Sequence, residues 1–259
     1  MPAEDNSFRS LLNFRDPGGI AVGGDRRIRK GVLFRSANPD RIGRKDLSRL
    51  LDYGIRTIAD LRAESEVSPK RKTIDKTERL VLALDFQQRT REMLKPVIRG
   101  RNSREKIADI SNDLYLEILD AAGPAFREVL EVLSDNKRLP LLIHCQAGKD
   151  RTGIFIALIM KLLGADNEQI TAEFLRSNDA LLPSFRKHFL IRSILTLGYF
   201  PYNNLVFAVT VKRRNIESVL NRIDNHYGGI EGYVKYSGFN PSLISNIREK
   251  LLEENGLSK

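Results

Sequence analysis

The stretch Leu139-Pro140-Leu141-Leu142-Ile143-His144-Cys145-Gln146-Ala147-Gly148-Lys149-Asp150-Arg151-Thr152-Gly153, followed by Ile154 to Leu163, organises the chain. Leu139 to Ile143 reads as a buried strand with Pro140 at its start, and Thr152 to Leu163 as a helix apolar on nearly every face. Between them lies the pattern H-C-x5-R-T-G. A short loop entering a helix can turn successive backbone N–H groups toward one point, and the helix N-terminus adds partial positive charge. A phosphate held there sits over the Cys145 sulfur, in a field that suits a thiolate nucleophile. Arg151 offers a planar fork for two phosphoryl oxygens. Thr152 can donate its hydroxyl to the sulfur, and Gly148 and Gly153 permit backbone approaches that a side chain would block. The residues Gln146, Ala147, Gly148, Lys149 and Thr152 are thus expected to bind phosphate beside Cys145 and Arg151.

Competing readings of the loop fail on particular residues. A nucleotide-binding Gly-Lys loop requires Ser or Thr after the lysine, where Asp150 stands. Cys145 is the only cysteine and there are three histidines, which excludes an internal disulfide and a thiolate-cluster metal site. No metal and no cofactor are expected.

The surroundings indicate a single α/β domain spanning residues 1–259. No repeat, low-complexity tract or Pro/Gly/Ser-rich linker divides it. Asn13 to Asp25 reads as turns; Lys45 to Tyr53 reads as a helix capped by Gly54. Ile55 to Asp60 and Leu80 to Asp85 read as short strands ending in carboxylates. Ile107, Ile110, Leu114 and Ile118 mark a helix over Arg104 to Asp120, followed by another over Pro124 to Leu133. Further helices are expected around Ile216 to Ile223, ending at Gly228-Gly229, and over Pro241 to Leu252.

The chain is 41% hydrophobic and 29% charged, with a formal charge of +10. That charge draws anionic partners, among them phosphorylated substrates and anionic membrane, to which peripheral contact is compatible. The runs Lys70-Arg71-Lys72 and Lys212-Arg213-Arg214 are short and have carboxylates nearby, so they read as solvated surface, and no nucleic-acid partner is expected. No apolar run approaches the roughly 20 residues of a membrane span. Met1 to Arg9 is polar, so a cytoplasmic location is the default expectation, with non-classical export left open. Oligomeric state is not legible.

At the loop residues the sequence resembles the protein tyrosine phosphatase superfamily, and more closely its bacterial atypical branch of tyrosine and phosphoinositide phosphatases. Asn13-Phe14-Arg15-Asp16-Pro17-Gly18-Gly19, Phe34-Arg35-Ser36-Ala37, Ala59-Asp60-Leu61-Arg62 and Leu175-Arg176-Ser177-Asn178-Asp179 look like further family segments, in the same order. The resemblance implies a central, mostly parallel sheet of about four or five strands with helices on both faces, the loop at a strand's C-terminal end. It also implies a helical lid insertion at about 183–211. It further implies cysteine-dependent hydrolysis of phosphotyrosine, and of phosphoserine, phosphothreonine or phosphoinositide monoesters, with phosphorylated proteins or phosphoinositides as partners. Asp60 and Arg62, at a strand end, are expected beside the phosphate. His144 is expected to support the loop.

The proton donor stays open among Asp150, Asp60 and Asp85. Myotubularin-type lipid phosphatases resemble this loop in carrying Asp just before its Arg, which favours Asp150. Lys149 gives the loop the Gly-Lys-x-Arg-Thr-Gly form of phosphatase-and-tensin-homologue lipid phosphatases. The alternative to an enzyme is a non-catalytic module that binds phosphorylated partners.

Overall fold

A computed structural model of the chain describes residues 8–68, 74–98, 103–197 and 199–255; the run Lys70–Lys72 and the first seven residues lie outside them. In chain order the elements are β1 (Ala21–Val22), β2 (Arg26–Ile28), β3 (Leu33–Ser36), α1 (Arg44–Asp52), β4 (Thr57–Asp60), β5 (Glu78–Val81), α2 (Gln87–Ile98), α3 (Arg104–Ala121) and α4 (Gly123–Ser134). They continue with β6 (Leu141–His144), α5 (Arg151–Leu162), α6 (Asn167–Leu195), α7 (Tyr202–Val209), α8 (Arg213–Asn225), α9 (Ile230–Tyr236), α10 (Ile244–Leu251) and β7 (Leu252–Glu254).

The main sheet has the order β3-β6-β4-β5 and all its pairs are parallel. β6 arrives late in the chain and inserts between β3 and β4, so its four residues are fully buried. That is why it reads as an unbroken apolar run rather than an alternating one. Alternate residues still serve different faces. Leu142 joins Phe34, Ile58, Phe14 and Leu50 of α1, whereas Leu141 and Ile143 join Leu33, Ala59 and the apolar sides of α3, α4 and α5. Helices therefore cover both faces. The register sets Ser36, His144 and Asp60 side by side at the C-terminal edge, where the loop that follows β6 leaves.

The strand expected over Leu80 to Asp85 forms instead at Glu78–Val81. β5 is an edge strand among the described residues, and its partner β4 ends at Asp60 opposite Val81. Beyond that point Leu82 and Leu84 still donate to Asp60 O and Leu61 O, at 2.8 and 3.3 Å, while the chain peels away. Asp85 is exposed and accepts from Gln87 N at the start of α2. α2 itself has a largely polar sequence and α9 is only seven residues long, so neither carries a strong periodic signal. The same brevity hides the antiparallel sheet β1-β2-β7, which ties the C-terminal strand to the N-terminal turns.

Residues 183–211 comprise the second half of α6, a connection and α7. α6 passes through Pro183 without a break. Leu205 and Ala208 of α7 are buried against Val97 and Ile107, flanked by Phe189, Phe200 and Phe207. Among the described residues no helix is long and apolar enough to cross a membrane.

Candidate active site

Cys145 to Asp150 bridge the end of β6 and the start of α5, and their conformation is set by what holds their carbonyls. Gln146 O accepts from Asn38 N at 3.1 Å. Ala147 O and Gly148 O accept from Asn13 Nδ2 at 3.2 and 2.7 Å, and Gly148 O also from Arg35 Nη2 at 2.5 Å. In a trans peptide the N–H points opposite to the C=O, so the amides of Ala147, Gly148 and Lys149 face the other way. Among the described residues, none of the amides from Gln146 to Thr152 has a protein acceptor. These amides line an open concave loop, and Cys145, its first residue, is 2% exposed. Gly148 is obligatory here: its φ is +66°, and a Cβ would come within 2.1 Å of Ser36 O. At Gly153 a Cβ would meet Phe174 of α6 at 2.8 Å.

A buried frame stands behind the loop. Glu173 on α6 accepts from Arg15 at 2.7 Å and from Arg35 at 3.3 Å, and both arginines reach Ser177 Oγ at 3.2 Å. Burial, with Arg35 close by, pushes Arg15 down to about 9. Asp16 accepts from the amides of Gly18 and Gly31 and so fastens the N-terminal turns. The segments around Asn13, Arg35 and Ser177 thus meet as a scaffold that shapes the loop from outside.

Arg151 opens α5 with its guanidinium in a two-toothed pair with Glu66, Nη1–Oε2 2.5 Å and Nη2–Oε1 2.8 Å. Nη1 also donates to the carbonyls of Leu61 and Leu84. Glu66 comes from a single 3₁₀ turn, Glu64–Glu66, and is also held by Ala63 N. Sequence reasoning did not single it out.

On the other side of the loop, Asp150 Oδ1 accepts from Lys149 Nζ at 2.7 Å and from the Tyr115 hydroxyl. Burial acts to raise the Asp150 carboxyl, but the Lys149 charge and these two hydrogen bonds outweigh it, leaving the group below its usual range. Tyr115 is buried and, by that burial and the facing carboxylate, held well above the usual phenol value, so it remains a donor. Oδ2 of Asp150 has no hydrogen-bonding partner among the described residues. Lys212, read from sequence as solvated surface, is instead half-buried over the Phe207 ring at 4.2 Å, donating to Phe207 O and Thr210 O. Burial and the nearby Lys149 charge lower it to about 8. Its neighbours Arg213 and Arg214 do face solvent, paired with Glu168 and Asp109.

Asp60 and Arg62 lie one layer beneath the loop, both fully buried. Arg62 grips Asp60 through two 2.8 Å bonds and Asp40 through a third, while Arg79 bridges Asp40 and Asp60 at 3.1 and 2.7 Å. Burial would raise the Asp60 carboxyl, but Arg62, His144 and Arg79 together hold it far below its usual range. The hydroxyl of Thr152 is buried without a described partner at the second residue of α5.

His144 is fully buried, with Nδ1 3.3 Å from Cys145 O and Nε2 3.6 Å from Asp60. Burial lowers it to about 4, so the ring is neutral in the folded protein near pH 7. The unfolded chain binds a proton at this position near pH 6.5, the native protein only near 4, so stability falls as pH drops through that window. Between pH 7 and 4.5 the wild type should lose roughly 2 kcal/mol more than His144→Gln in urea unfolding. Parallel profiles for the two proteins would contradict this assignment.

Comparison with known proteins follows the same lines. Residues 6–253 match the tyrosine phosphatase family. A candidate tyrosine-protein phosphatase of Cupriavidus necator is 29% identical over 89% of this chain and 83% of its own. The triple specificity protein phosphatase PtpB of Mycobacterium tuberculosis is 28% identical over 93% of this chain and 96% of its own. A 52-residue stretch, 20% of this chain and 19% of the relative, is 44% identical to the inositol diphosphatase DSP2 of Arabidopsis thaliana.

Proposed function

The chain belongs to the tyrosine phosphatase family, and from that membership we propose that it is a cysteine-dependent phosphomonoesterase working through a phosphocysteine intermediate. The observation that carries this reading is the cradle itself: outward-held carbonyls, inward amides, buried Cys145 beneath them and Arg151 oriented by Glu66.

The Cys145 thiolate attacks phosphorus; the S–P bond forms as the ester P–O bond breaks, with equatorial oxygens on the loop amides and Arg151. The departing oxygen takes a proton from Asp150. Water then attacks the phosphocysteine, Asp150 recovers a proton from it, and the sulfur leaves toward the Thr152 hydroxyl with release of inorganic phosphate. Asp150 fits this role better than Asp60 because Tyr115 and Lys149 occupy only Oδ1, leaving Oδ2 to carry the proton. Asp60 is instead consumed by Arg62 and Arg79. His144, neutral, braces the end of β6 under the nucleophile.

Asp150 has a carboxyl below its usual range in the unliganded site, so a proton-dependent step should favour acidic pH, the bound dianion working against that displacement. Asp150→Asn should slow an alkyl phosphate by about 10²–10⁴, the usual worth of general acid catalysis, and an activated aryl phosphate far less. Equal losses on both substrates would assign Asp150 a structural role.

For substrates, the reading is phosphotyrosine together with phosphoserine, phosphothreonine or phosphoinositide monoesters. It draws support from the names of the mycobacterial and plant relatives. Lys149 and Lys212, both near Asp150, add positive charge that a singly phosphorylated side chain does not use. The second half of α6 with α7 serves in this reading as the lid, limiting water and bulky substrates. Turnover of phosphotyrosine peptides and of a phosphoinositide panel, measured in parallel, assigns the preference.

A further inference from the structure

The C-terminal half of α6 is apolar on two opposite faces, and only one of them is covered. Phe185 and Phe189 stack at 6.1 Å and Phe189 reaches Phe200, so this side closes onto α7. Leu190, Ile191, Ile194 and Leu195 point the other way, within an arc of about 140° at 3.6 residues per turn. They are 52, 49, 66 and 77% exposed, and Leu197 and Tyr199 just beyond the helix are 90 and 91% exposed. Of the ten large hydrophobic residues exposed among the described residues, six fall in this one stretch. Scattered exposed apolar residues need no explanation, but a contiguous group marks a contact surface.

The charge around the group bears on what it would contact. Between Asp179 and Glu217 the sequence contains no carboxylate. Lys187 projects within the apolar arc, and Arg186 and Arg192 border it. Among the described residues none of the three has a carboxylate partner. Arg192 lies over the Phe200 ring at 5.7 Å, where the ring steadies the guanidinium. Aliphatic and aromatic side chains at the centre with cations at the margin are what a helix needs to lie in the headgroup region of an anionic bilayer. A protein partner would be met equally well by an acidic or neutral margin.

We infer that residues 186–197 and Tyr199, the exposed face of α6 and the residues just beyond it, dock this protein onto anionic lipid membrane. The surface is remote from the phosphate cradle: Leu195 is about 27 Å along the helix from Ser177, the residue that braces Arg35. Docking therefore holds the protein on a surface through a face that does not itself contribute to the loop. The inference does not rest on catalysis, and the Cys145→Ser chain should dock as the wild type does.

The test is sedimentation of the full chain with phosphatidylcholine vesicles, with and without phosphatidylserine. Wild type should partition at least tenfold more strongly onto the serine-containing vesicles, and added salt should weaken that binding. Ile194→Glu/Leu195→Glu should lose at least tenfold in partitioning, with its circular dichroism spectrum and thermal unfolding midpoint unchanged, which reports that it folds. Leu197→Glu, outside the helix, is the second variant and should lose binding in the same direction. Wild-type binding that is absent, indifferent to phosphatidylserine, or unchanged in the variants would overturn the inference. So would light scattering that shows a dimer abolished by Ile194→Glu/Leu195→Glu, which would make the face a contact between two copies of this chain.

Discussion

Cys145→Ser is expected to lower kcat on an aryl phosphate by roughly 10³–10⁶, the range seen when a nucleophile is removed while the rest of its site remains. The hydroxyl replaces the thiol at a position 2% exposed and close in shape, so the fold and the cradle should persist. A serine hydroxyl does not ionise in the same field, so attack is lost while phosphate binding by the amides and Arg151 is kept. Titration with inorganic phosphate should therefore give similar affinity for both proteins. Activity above a few per cent of wild type with metal removed would place the nucleophile elsewhere.

Arg151→Lys should be nearly as damaging, lowering kcat by about 10²–10³, comparable to loss of a transition-state donor. Lysine keeps the charge but not the planar fork. The structure gives a second reason. Glu66 takes two hydrogen bonds from Arg151 in a site where both side chains are only 12% exposed. With lysine at 151, this carboxylate loses its matched partner and adds negative charge beside a dianionic substrate. Stopped-flow turnover together with thermal unfolding separates the chemical loss from any loss of fold. Near-normal kcat would show that the clamp is not Arg151.

The part of this site that was legible in sequence is the part that is continuous in sequence. Strand, loop and helix follow one another from Leu139 to Leu163, so the pattern of residue types carries both the fold and the chemistry. The residues that hold the loop in shape come from elsewhere: Glu66 reaches Arg151 across 85 positions, Tyr115 reaches Asp150 across 35, and Arg35 reaches Gly148 across 113. Tyr115 sits beside Leu114 in the buried part of α3, where an aromatic reads as core; its hydroxyl, not its ring, makes the contact with Asp150. Lys212 stands in a basic triplet whose other members are solvated, so composition could not separate it from them. Asp60 and Arg62 stand at the end of β4, where they were expected beside the phosphate, but their charges are satisfied by each other, by Asp40 and by Arg79. That distinction depends on Arg79 of the edge strand and cannot be read locally.

The central claim is that Cys145 carries the phosphoryl group between substrate and water. Acid quenching during turnover of an aryl phosphate, followed by mass spectrometry of the peptide containing Cys145, addresses it directly. A phosphoryl adduct on Cys145 that appears before steady state, disappears when substrate is exhausted and is absent from Cys145→Ser is the predicted result. Full turnover with no adduct at Cys145, or binding of phosphorylated ligand with no turnover, would contradict it, the second outcome leaving a phosphate-binding module in place of an enzyme.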